Sequence, residues 1–350
     1  MPEPSPGSRP APRPTLEAVA ERAGVSRATV SRVVNGGAGV RRPLAERVRR
    51  AVEDLGYVPN HAARSLVTRR TGAVGVIIAE PEVRIFSDPF FSQQIRGISR
   101  ELTARDTQLV LLLVDGPGDY DRIGRYLAGG HVDGALAFSL HTDDPIPALV
   151  RRAGLPTVFG GRPGWTAGAD GQAVPYVDAD NRGGARTAVR YLCGLGRRRI
   201  AHIGGPPDQT SATDRLDGYR DVLPDADPEL VAEGAFTEES GARAMERLLL
   251  RCPDLDAVFA ANDLMASGAL GVLKARGRSV PDDVALVGFD DIDPVARTTD
   301  PPLTTVRQDV EGQGRLMARL LLRGLDRQRE GGPAPESVIT PTTLVRRASA

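Results

Sequence analysis

Near the N-terminus, apolar residues recur at spacings of three and four, which is the period of an amphipathic helix. This pattern predicts a short helix over residues 16–23 that ends at Gly24. Ser26 can cap a second helix that runs to about residue 35, and a third helix is predicted over residues 43–55. Two short helices joined by a glycine-containing turn and followed by a third are typical of a helix-turn-helix unit.

The second predicted helix has valines on one side and polar or basic side chains on the other. Arg can bind guanine through two acceptor atoms, Asn can bind adenine in the same way, and hydroxyl groups can hold phosphates. These properties suit a helix that enters the DNA major groove, although a small helical bundle with a solvated polar face has the same pattern. The outward positions are Arg27, Ala28, Ser31, Arg32 and Asn35.

Beyond residue 72, continuous apolar runs of strand length alternate with helix-like segments in two consecutive series. Continuous apolar strands between helices indicate parallel sheets that are covered on both faces. The two series predict two doubly wound subdomains with a cleft between them. The expected fold class is therefore an all-α headpiece followed by an α/β body.

The charge of the chain is distributed unevenly. The whole sequence contains 45 basic and 45 acidic residues, so its formal net charge is zero. Residues 1–70 alone contain 13 arginines, no lysine and 6 acidic residues, which leaves this segment at +7 and the remainder at −7. A basic head on an acidic body is typical of a protein that binds a polyanion with one end.

Several classes of protein are not expected. The sequence has no apolar run of roughly 18 residues that would predict a membrane span, and residues 1–14 lack the apolar stretch of a signal peptide, which favours a cytoplasmic protein with a disordered N-terminal arm. Cys193 and Cys252 lack metal-ligand spacing. The four histidines are scattered, and neither a GxSxG nor a GxxxxGK[ST] motif is present. We therefore expect no metal, no cofactor and no enzymatic activity.

The text TLEAVAERAGVSRATVSRVVNG, followed by GYVPNHAARSL, closely resembles the headpiece of the LacI/GalR family of bacterial transcription repressors. The resemblance implies that Arg27 and Ala28 choose bases and that Ser31 and Arg32 contact bases and backbone. The residues that it places on DNA are Thr15, Ser26, Arg27, Ala28, Thr29, Ser31, Arg32, Asn35, Tyr57, Asn60, Ala63 and Leu66.

The same resemblance makes residues 60–71 a hinge helix that forms on operator DNA, although the residues alone would favour a plain linker. Leu66 would then wedge a central base step apart in the minor groove, and Ala63 would permit close approach. The chain departs from the family at the start of the third helix, because the usual serine cap and threonine phosphate contact are absent. Arg41 and Arg42 are candidates to replace those phosphate contacts.

The resemblance extends through the body in DPFF, GGP…RLDGYR, ANDLMASGAL, VPDDVALVGFDDID and PPLTTVRQD. It implies the fold of periplasmic sugar-binding proteins, with crossovers between the subdomains near Gly161, Val306 and Thr340. The expected segments are an arm at 1–14, a headpiece at 15–59, a hinge at 60–71, a body at 72–350, an N-subdomain at 72–162 and 309–337, and a C-subdomain at 163–306 and 341–347.

Ligands of such folds bind where the carboxyl ends of the strands face the cleft. Carboxylate, amide and guanidinium groups can bind vicinal hydroxyls, and phenyl faces can pack against a pyranose ring. The candidate ligand-binding residues are Phe90, Phe91, Phe138, Arg162, Gln209, Ser211, Arg215, Phe236, Asn262, Asp290 and Gln308. The segment RIFSDPFFSQQIRGIS resembles actinobacterial regulators that respond to plant-polysaccharide sugars, so an oligosaccharide is the expected ligand.

The expected function is a sequence-specific transcriptional repressor, a homodimer through its body, bound to a near-palindromic double-stranded operator and controlled by a small ligand. A nucleobase co-repressor and an effector-independent regulator are the alternatives within this architecture. Three other classes are disfavoured. A secreted solute-binding protein would lack residues 15–66, a sugar-processing enzyme would need a catalytic pair, and an architectural DNA binder would need no cleft.

Overall fold

A computed structural model describes residues 14–34, 39–58, 70–164, 174–329 and 335–350. The chain divides into two units, Met1–Thr71 and Gly72–Ala350. In the described part of the chain, no helix combines the length and apolar character needed to cross a membrane. Four of the predicted DNA-contact residues lie outside the described residues: Asn35, Asn60, Ala63 and Leu66.

The first unit contains the three predicted helices, α1 (Leu16–Ala23), α2 (Arg27–Val34) and α3 (Arg42–Leu55). The Thr15 hydroxyl caps α1 by accepting a hydrogen bond from the backbone N–H of Ala18 at 3.2 Å. Gly24 ends α1 with a left-handed backbone at φ 61°, a conformation that glycine adopts without steric cost. The helices share a small apolar core formed by Val19, Ala20, Ala23, Val30, Val48, Ala51 and Tyr57.

The first sheet of the second unit is entirely parallel and has the strand order β11-β5-β4-β3-β1-β2. Its strands are β1 (Ala73–Ile78), β2 (Gln108–Leu113), β3 (Gly134–Phe138), β4 (Thr157–Gly160), β5 (Tyr176–Ala179) and β11 (Val338–Thr340). Its helices are α4 (Glu82–Ser87), α5 (Pro89–Thr103), α6 (Pro117–Ala128), α7 (Ile146–Arg152) and α13 (Val310–Arg329).

The second sheet has the order β12-β10-β9-β8-β6-β7, and only β12 runs antiparallel to its neighbour. Its strands are β6 (Ile200–Gly204), β7 (Val231–Glu233), β8 (Ala257–Ala260), β9 (Ala285–Asp290), β10 (Thr304–Arg307) and β12 (Thr343–Val345). Its helices are α8 (Asn181–Gly194), α9 (Thr210–Val222), α10 (Glu238–Arg251), α11 (Asp263–Ala275) and α12 (Val295–Thr298), with a 3₁₀ turn at Pro228–Leu230.

Each sheet is buried on both faces by helices. Helices α5 and α13 cover one face of the first sheet, and α6 and α7 cover the other. Helices α10 and α11 cover one face of the second sheet, and α8 and α9 cover the other. This burial explains why the strands are continuous apolar runs rather than alternating ones. The prediction of two doubly wound subdomains is confirmed.

The first crossover between the subdomains differs from the expected one near Gly161. Strand β5 pairs in parallel with β4, with Phe159 opposite Tyr176 and Gly160 opposite Val177. The N-subdomain therefore continues to residue 179 instead of ending at 162. Strand β11 also pairs with β5, so the third crossover follows Thr340, as expected. The difference arises because an apolar run that ends one sheet has the same pattern as a run that begins the next.

Candidate functional site

A cavity lies between the subdomains, at the carboxyl ends of their strands. Its empty space is about 950 Å³, a figure that includes the open solvent at its mouth. All eleven residues predicted from the strand-end rule line this one cavity: Phe90, Phe91, Phe138, Arg162, Gln209, Ser211, Arg215, Phe236, Asn262, Asp290 and Gln308.

The backbone at several strand ends is held in the left-handed region, which side chains other than glycine rarely adopt. Ser139, after β3, has φ 59°, and Phe236, after β7, has φ 59°. Asp290 and Asp291, at the end of β9, have φ 101° and 55°. Such strain concentrates at functional sites, because only a rigid surrounding structure can maintain it. Here it turns Ser139, Phe236 and Asp290 toward the cavity.

The wall from the C-subdomain is built around a buried ion pair. A guanidinium nitrogen of Arg215 lies 3.2 Å from Oδ1 of Asp290, and the two side chains are 5% and 6% exposed. Arg215 Nε donates to the Asn181 side-chain oxygen at 3.0 Å, and Gln308 Nε2 donates to Asp290 at 2.6 Å. Burial raises the pKa of Asp290 and lowers the pKa of Arg215, and their mutual attraction opposes both shifts. The pair therefore offers fixed, oriented polar groups to a ligand.

Asn262 fixes the start of α11 and the neighbouring loop at the same time. Its side-chain oxygen accepts from the backbone N–H of Met265 at 2.9 Å, and its amide nitrogen donates to the Phe236 carbonyl at 3.0 Å. The polar residue at this buried strand end thus has the partners that burial requires. The Phe236 ring is held above the cavity, with the guanidinium groups of Arg84 and Arg215 at 5.5 and 5.9 Å from its centroid.

Two of the predicted phenylalanines belong mainly to the core of the N-subdomain. Phe91 and Phe138 are each 1% exposed and stack at 6.2 Å between ring centroids. Phe90 is partly exposed and meets Phe91 edge-on at 5.5 Å. The structure therefore makes Phe91 and Phe138 a rigid apolar floor of the cavity and leaves Phe90 more exposed, whereas Phe236 is 6% exposed and packs in the core of the C-subdomain.

Four side chains, which we call the cross-cleft clasp, join the subdomains at the cavity mouth: Glu80, His141, Asp208 and Gln209. His141 Nδ1 lies 2.7 Å from Asp208 Oδ2, and Gln209 Nε2 donates to Glu80 at 2.9 Å. Glu80 also accepts from the Ser139 hydroxyl at 2.6 Å. Glu80 and His141 follow β1 and β3, and Asp208 and Gln209 follow β6, so other strands of each sheet separate the clasp from the crossover strands β5 and β10.

The charged groups of the clasp shift one another's pKa values. The Glu80 carboxylate, 3.6 Å from Nε2, and the hydrogen-bonded Asp208 raise the pKa of His141 to about 9 despite its partial burial. Burial alone would raise the pKa of Glu80, but His141 and the ion-paired Arg84 guanidinium lower it. At neutral pH the clasp therefore joins an imidazolium to two carboxylates.

All three crossovers meet in one hydrogen-bonded group beside the cavity. At the first crossover, Asp178 accepts from the Asn181 amide at 3.0 Å. At the second, Gln308 accepts from Gln313 Nε2 at 3.1 Å, and that same amide group donates to the Thr340 hydroxyl of the third at 2.9 Å. Thr340 in turn donates to the Asp178 carbonyl at 3.0 Å. The hinge and the cavity therefore share side chains.

The strand-end rule could have found some of the cavity residues that the sequence reasoning missed. Asp178 lies within the last residues of β5, and Asp208 follows β6 by four positions. His141 was set aside because the histidines are scattered in sequence, yet it joins Asp208 in the folded chain. Arg84 on α4 carried no such signal, because no strand ends at it.

Six of the eight predicted DNA-contact residues in the described part of the headpiece lie on α2 or cap it: Ser26, Arg27, Ala28, Thr29, Ser31 and Arg32. Arg27 is exposed and forms an ion pair with Glu17 at 3.0 Å, with the two side chains 73% and 62% exposed. Ala28 and Arg32 are also exposed. Ser26 caps the helix by accepting from the backbone N–H of Thr29 at 3.2 Å. Tyr57 was expected to contact the DNA backbone. It is instead 9% exposed, and its ring packs in the headpiece core.

Comparison with known proteins agrees with both units. The model of bacterial regulatory proteins of the lacI family matches residues 15–60, and the model of a periplasmic binding protein-like domain matches residues 189–350. The HTH-type transcriptional regulator CelR of Thermobifida fusca is 48% identical over 341 residues, which are 96% of this chain and 98% of that protein. The chain belongs to the LacI family.

Other LacI-family proteins are similar over most of their length. The ribose operon repressor of Escherichia coli (strain K12) is 35% identical over 315 residues, 88% of this chain and 92% of that protein. A solved CelR–cellobiose complex has 46% identity, covers 97% of this chain and 100% of its own, and has a TM-score of 0.75. A lac repressor dimer bound to operator and the anti-inducer ONPF has 28% identity, coverage of 97% and 99%, and a TM-score of 0.81. The predicted family and fold are confirmed, and the chain is a LacI-family transcriptional regulator.

Proposed function

We propose that this regulator is a homodimeric repressor that binds a near-palindromic operator and responds to a sugar in the cleft between its subdomains. The observation that carries the proposal is the cavity, which combines paired polar side chains with phenylalanine rings in a chain that begins with a helix-turn-helix unit. Each headpiece takes one half-site, so the symmetry of the dimer matches that of the operator.

In the headpiece, Arg27 and Ala28 read base edges at the start of α2, and Ser31 and Arg32 contact bases and backbone. This assignment is supported by the exposure of Arg27, Ala28 and Arg32 and by the bidentate hydrogen bonds that arginine forms with guanine. Leu66 and Ala63 act in the minor groove. The backbone contacts are assigned to Thr15, Ser26, Thr29, Asn35 and Asn60.

In the cleft, the ligand is a β-linked glucose disaccharide of the cellobiose type. The proposal is supported by the solved complex of CelR, a relative of 46% identity in that structure, with cellobiose. Asp290, Asn262 and Gln308 bind hydroxyl groups from the C-subdomain and hinge, and Phe90 and Phe236 pack against the ring faces. The remaining contacts are assigned to Phe91, Phe138, Arg162, Gln209, Ser211 and Arg215.

The sugar controls operator binding by preferring one degree of cleft closure. A ligand shifts an equilibrium only by the difference between its affinities for the two states. The cavity provides this difference, because its polar groups come from both subdomains. Closure of the cleft in each protomer then changes how the two headpieces are presented to DNA.

Operator selection followed by ligand release tests the proposal. Purified protein selects genomic fragments at fixed salt, since phosphate contacts make affinity salt-dependent. Cellobiose, other disaccharides and nucleobases are then added separately. We expect specific binding to a palindromic site and a response to cellobiose. A response to a nucleobase alone would support the co-repressor alternative, and an operator unaffected by any compound would contradict sugar control.

A further inference from the structure

We propose that the cavity selects uncharged polyhydroxylated ligands and rejects their phosphorylated forms, with Asp88 as the residue that sets this charge preference. The inference rests on the proposed function, because it concerns the ligand of the same cavity. It adds a rule that separates free sugars from sugar phosphates.

Each cationic side chain that lines the described part of the cavity already has a carboxylate partner. His141 is paired within the cross-cleft clasp. The other pairs are Arg84 with Glu80 at 2.6 Å, Arg162 with Asp214 at 2.6 Å, and Arg215 with Asp290 at 3.2 Å. A phosphate group needs such donors for charge-assisted hydrogen bonds, so it would have to compete with a carboxylate at every one of them.

The two segments of the body that lie outside the described residues cannot add a cation to the cavity. Residues 165–173 and 330–334, which lie outside the described part, contain no arginine, lysine or histidine. A phosphorylated ligand would therefore enter a site whose positive charge is already neutralised.

Asp88 differs from the carboxylates of these ion pairs because it is buried without a cationic partner among the described residues. Its side chain is 5% exposed, and one oxygen caps α5 by accepting from the backbone N–H of Phe90 at 2.9 Å. Among the described residues, no cation forms an ion pair with it, since the neighbouring Arg84 pairs with Glu80. Burial raises the pKa of Asp88 to about 6; the charge of Asp290 adds to this shift, and the Phe90 hydrogen bond and the charge of Arg84 oppose it. At pH 7.5 the group is therefore mainly ionised.

An ionised Asp88 acts on a ligand in two ways. The carboxylate lines the cavity and can accept hydrogen bonds from hydroxyl groups. Its charge repels a phosphate, and this repulsion is strong because little water screens it. Asp178, by contrast, is already occupied by donors from Arg162, Ala179 and Asn181. Asp88 is thus the carboxylate best placed to discriminate by charge.

The experiment compares cellobiose with cellobiose 6′-phosphate in calorimetric titrations of the full-length protein at pH 7.5. The wild type is expected to bind cellobiose at least roughly tenfold more tightly, as one unscreened like charge near the ligand predicts. Asp88→Asn keeps the shape and the helix cap, because Asn is an equally good N-cap residue. In this variant, the ratio of the affinities for cellobiose and cellobiose 6′-phosphate should fall by roughly tenfold. Glu82→Gln, an exposed carboxylate on the neighbouring α4, is the matched control and should leave the preference unchanged.

Equal or tighter binding of the phosphorylated sugar by the wild type would overturn the proposal, as would an unchanged preference in Asp88→Asn. Helix α9 begins beside the cavity at Gln209 without a side-chain cap, and a phosphate bound there would produce the first of these outcomes. Inorganic phosphate, titrated alone, is a second arm that needs no sugar. Saturable binding of phosphate would refute the proposal that the cavity rejects phosphorylated ligands. Failure of cellobiose to bind would refute only the proposed identity of the sugar.

Discussion

Nδ1 of His141 lies 2.7 Å from Oδ2 of Asp208, and this ion pair joins the two subdomains at the cavity mouth. The residues come from different sheets, so the pair can exist only when the cleft is closed at this edge. Opening the cleft at this edge must therefore separate these two atoms.

His141→Gln should weaken closure of the cleft and lower the free energy of unfolding by about 1 kcal/mol, since partial exposure screens the pair. The folded state raises the pKa of His141 from 6.5 to about 9, so its stabilisation is complete below pH 6.5 and is lost as the pH rises through 9. Urea unfolding from pH 6 to 10 measures this effect. Wild type and variant should converge at the alkaline end, and parallel curves would show that His141 is not the titrating group.

Arg27→Ala should lower discrimination between operator and mutated operator by about 1–3 kcal/mol, because a bidentate contact with guanine is lost. Arg22→Ala is the control, since Arg22 is an exposed arginine of the same unit that pairs with Asp54. Fluorescence anisotropy with both DNAs at one salt concentration gives the result. An equal loss on both DNAs would mean that Arg27 contacts only phosphate.

Asp290→Asn should weaken cellobiose binding and leave operator affinity unchanged. The variant also leaves the charge of Arg215 buried without its partner, which costs about 3–5 kcal/mol of folding stability. Thermal unfolding with and without cellobiose, together with operator titration, separates the two effects. If cellobiose raised the melting temperature of this variant as much as that of the wild type, the sugar would bind at a site that does not include Asp290.

Gly97→Ala should destabilise the body by about 1–3 kcal/mol, as overpacking does. A Cβ at this position would overlap the Glu311 carbonyl oxygen where α5 packs against α13. Gly118→Ala is the control on α6, because a Cβ there meets open space, and it should be neutral or slightly stabilising. Similar melting temperatures for the two variants would show that the helices can separate without cost.

Much of this arrangement could be predicted from the sequence. The rule that ligands meet the carboxyl ends of parallel strands placed residues as distant as Phe90 and Gln308 at one cavity. The first crossover could not be located, because the run at 176–179 has the same apolar pattern whichever sheet it joins. The clasp could not be predicted either, since His141 and Asp208 are 67 positions apart. Their pairing depends on how the two sheets face each other, and the local hydrophobic periodicity of the sequence does not determine that arrangement.

The shared group of Asp178, Gln308 and Thr340 has a mechanical consequence for any ligand of the cleft. A sugar hydroxyl that binds this group acts where the subdomains are joined. A shift of these side chains by a fraction of an ångström then produces a large change in the opening of the cleft. A contact near His141 acts on the clasp, which other strands separate from this group, so the same displacement changes the angle less. Two sugars of equal affinity can therefore set different opening angles, and the regulator can distinguish them by output although it binds them alike.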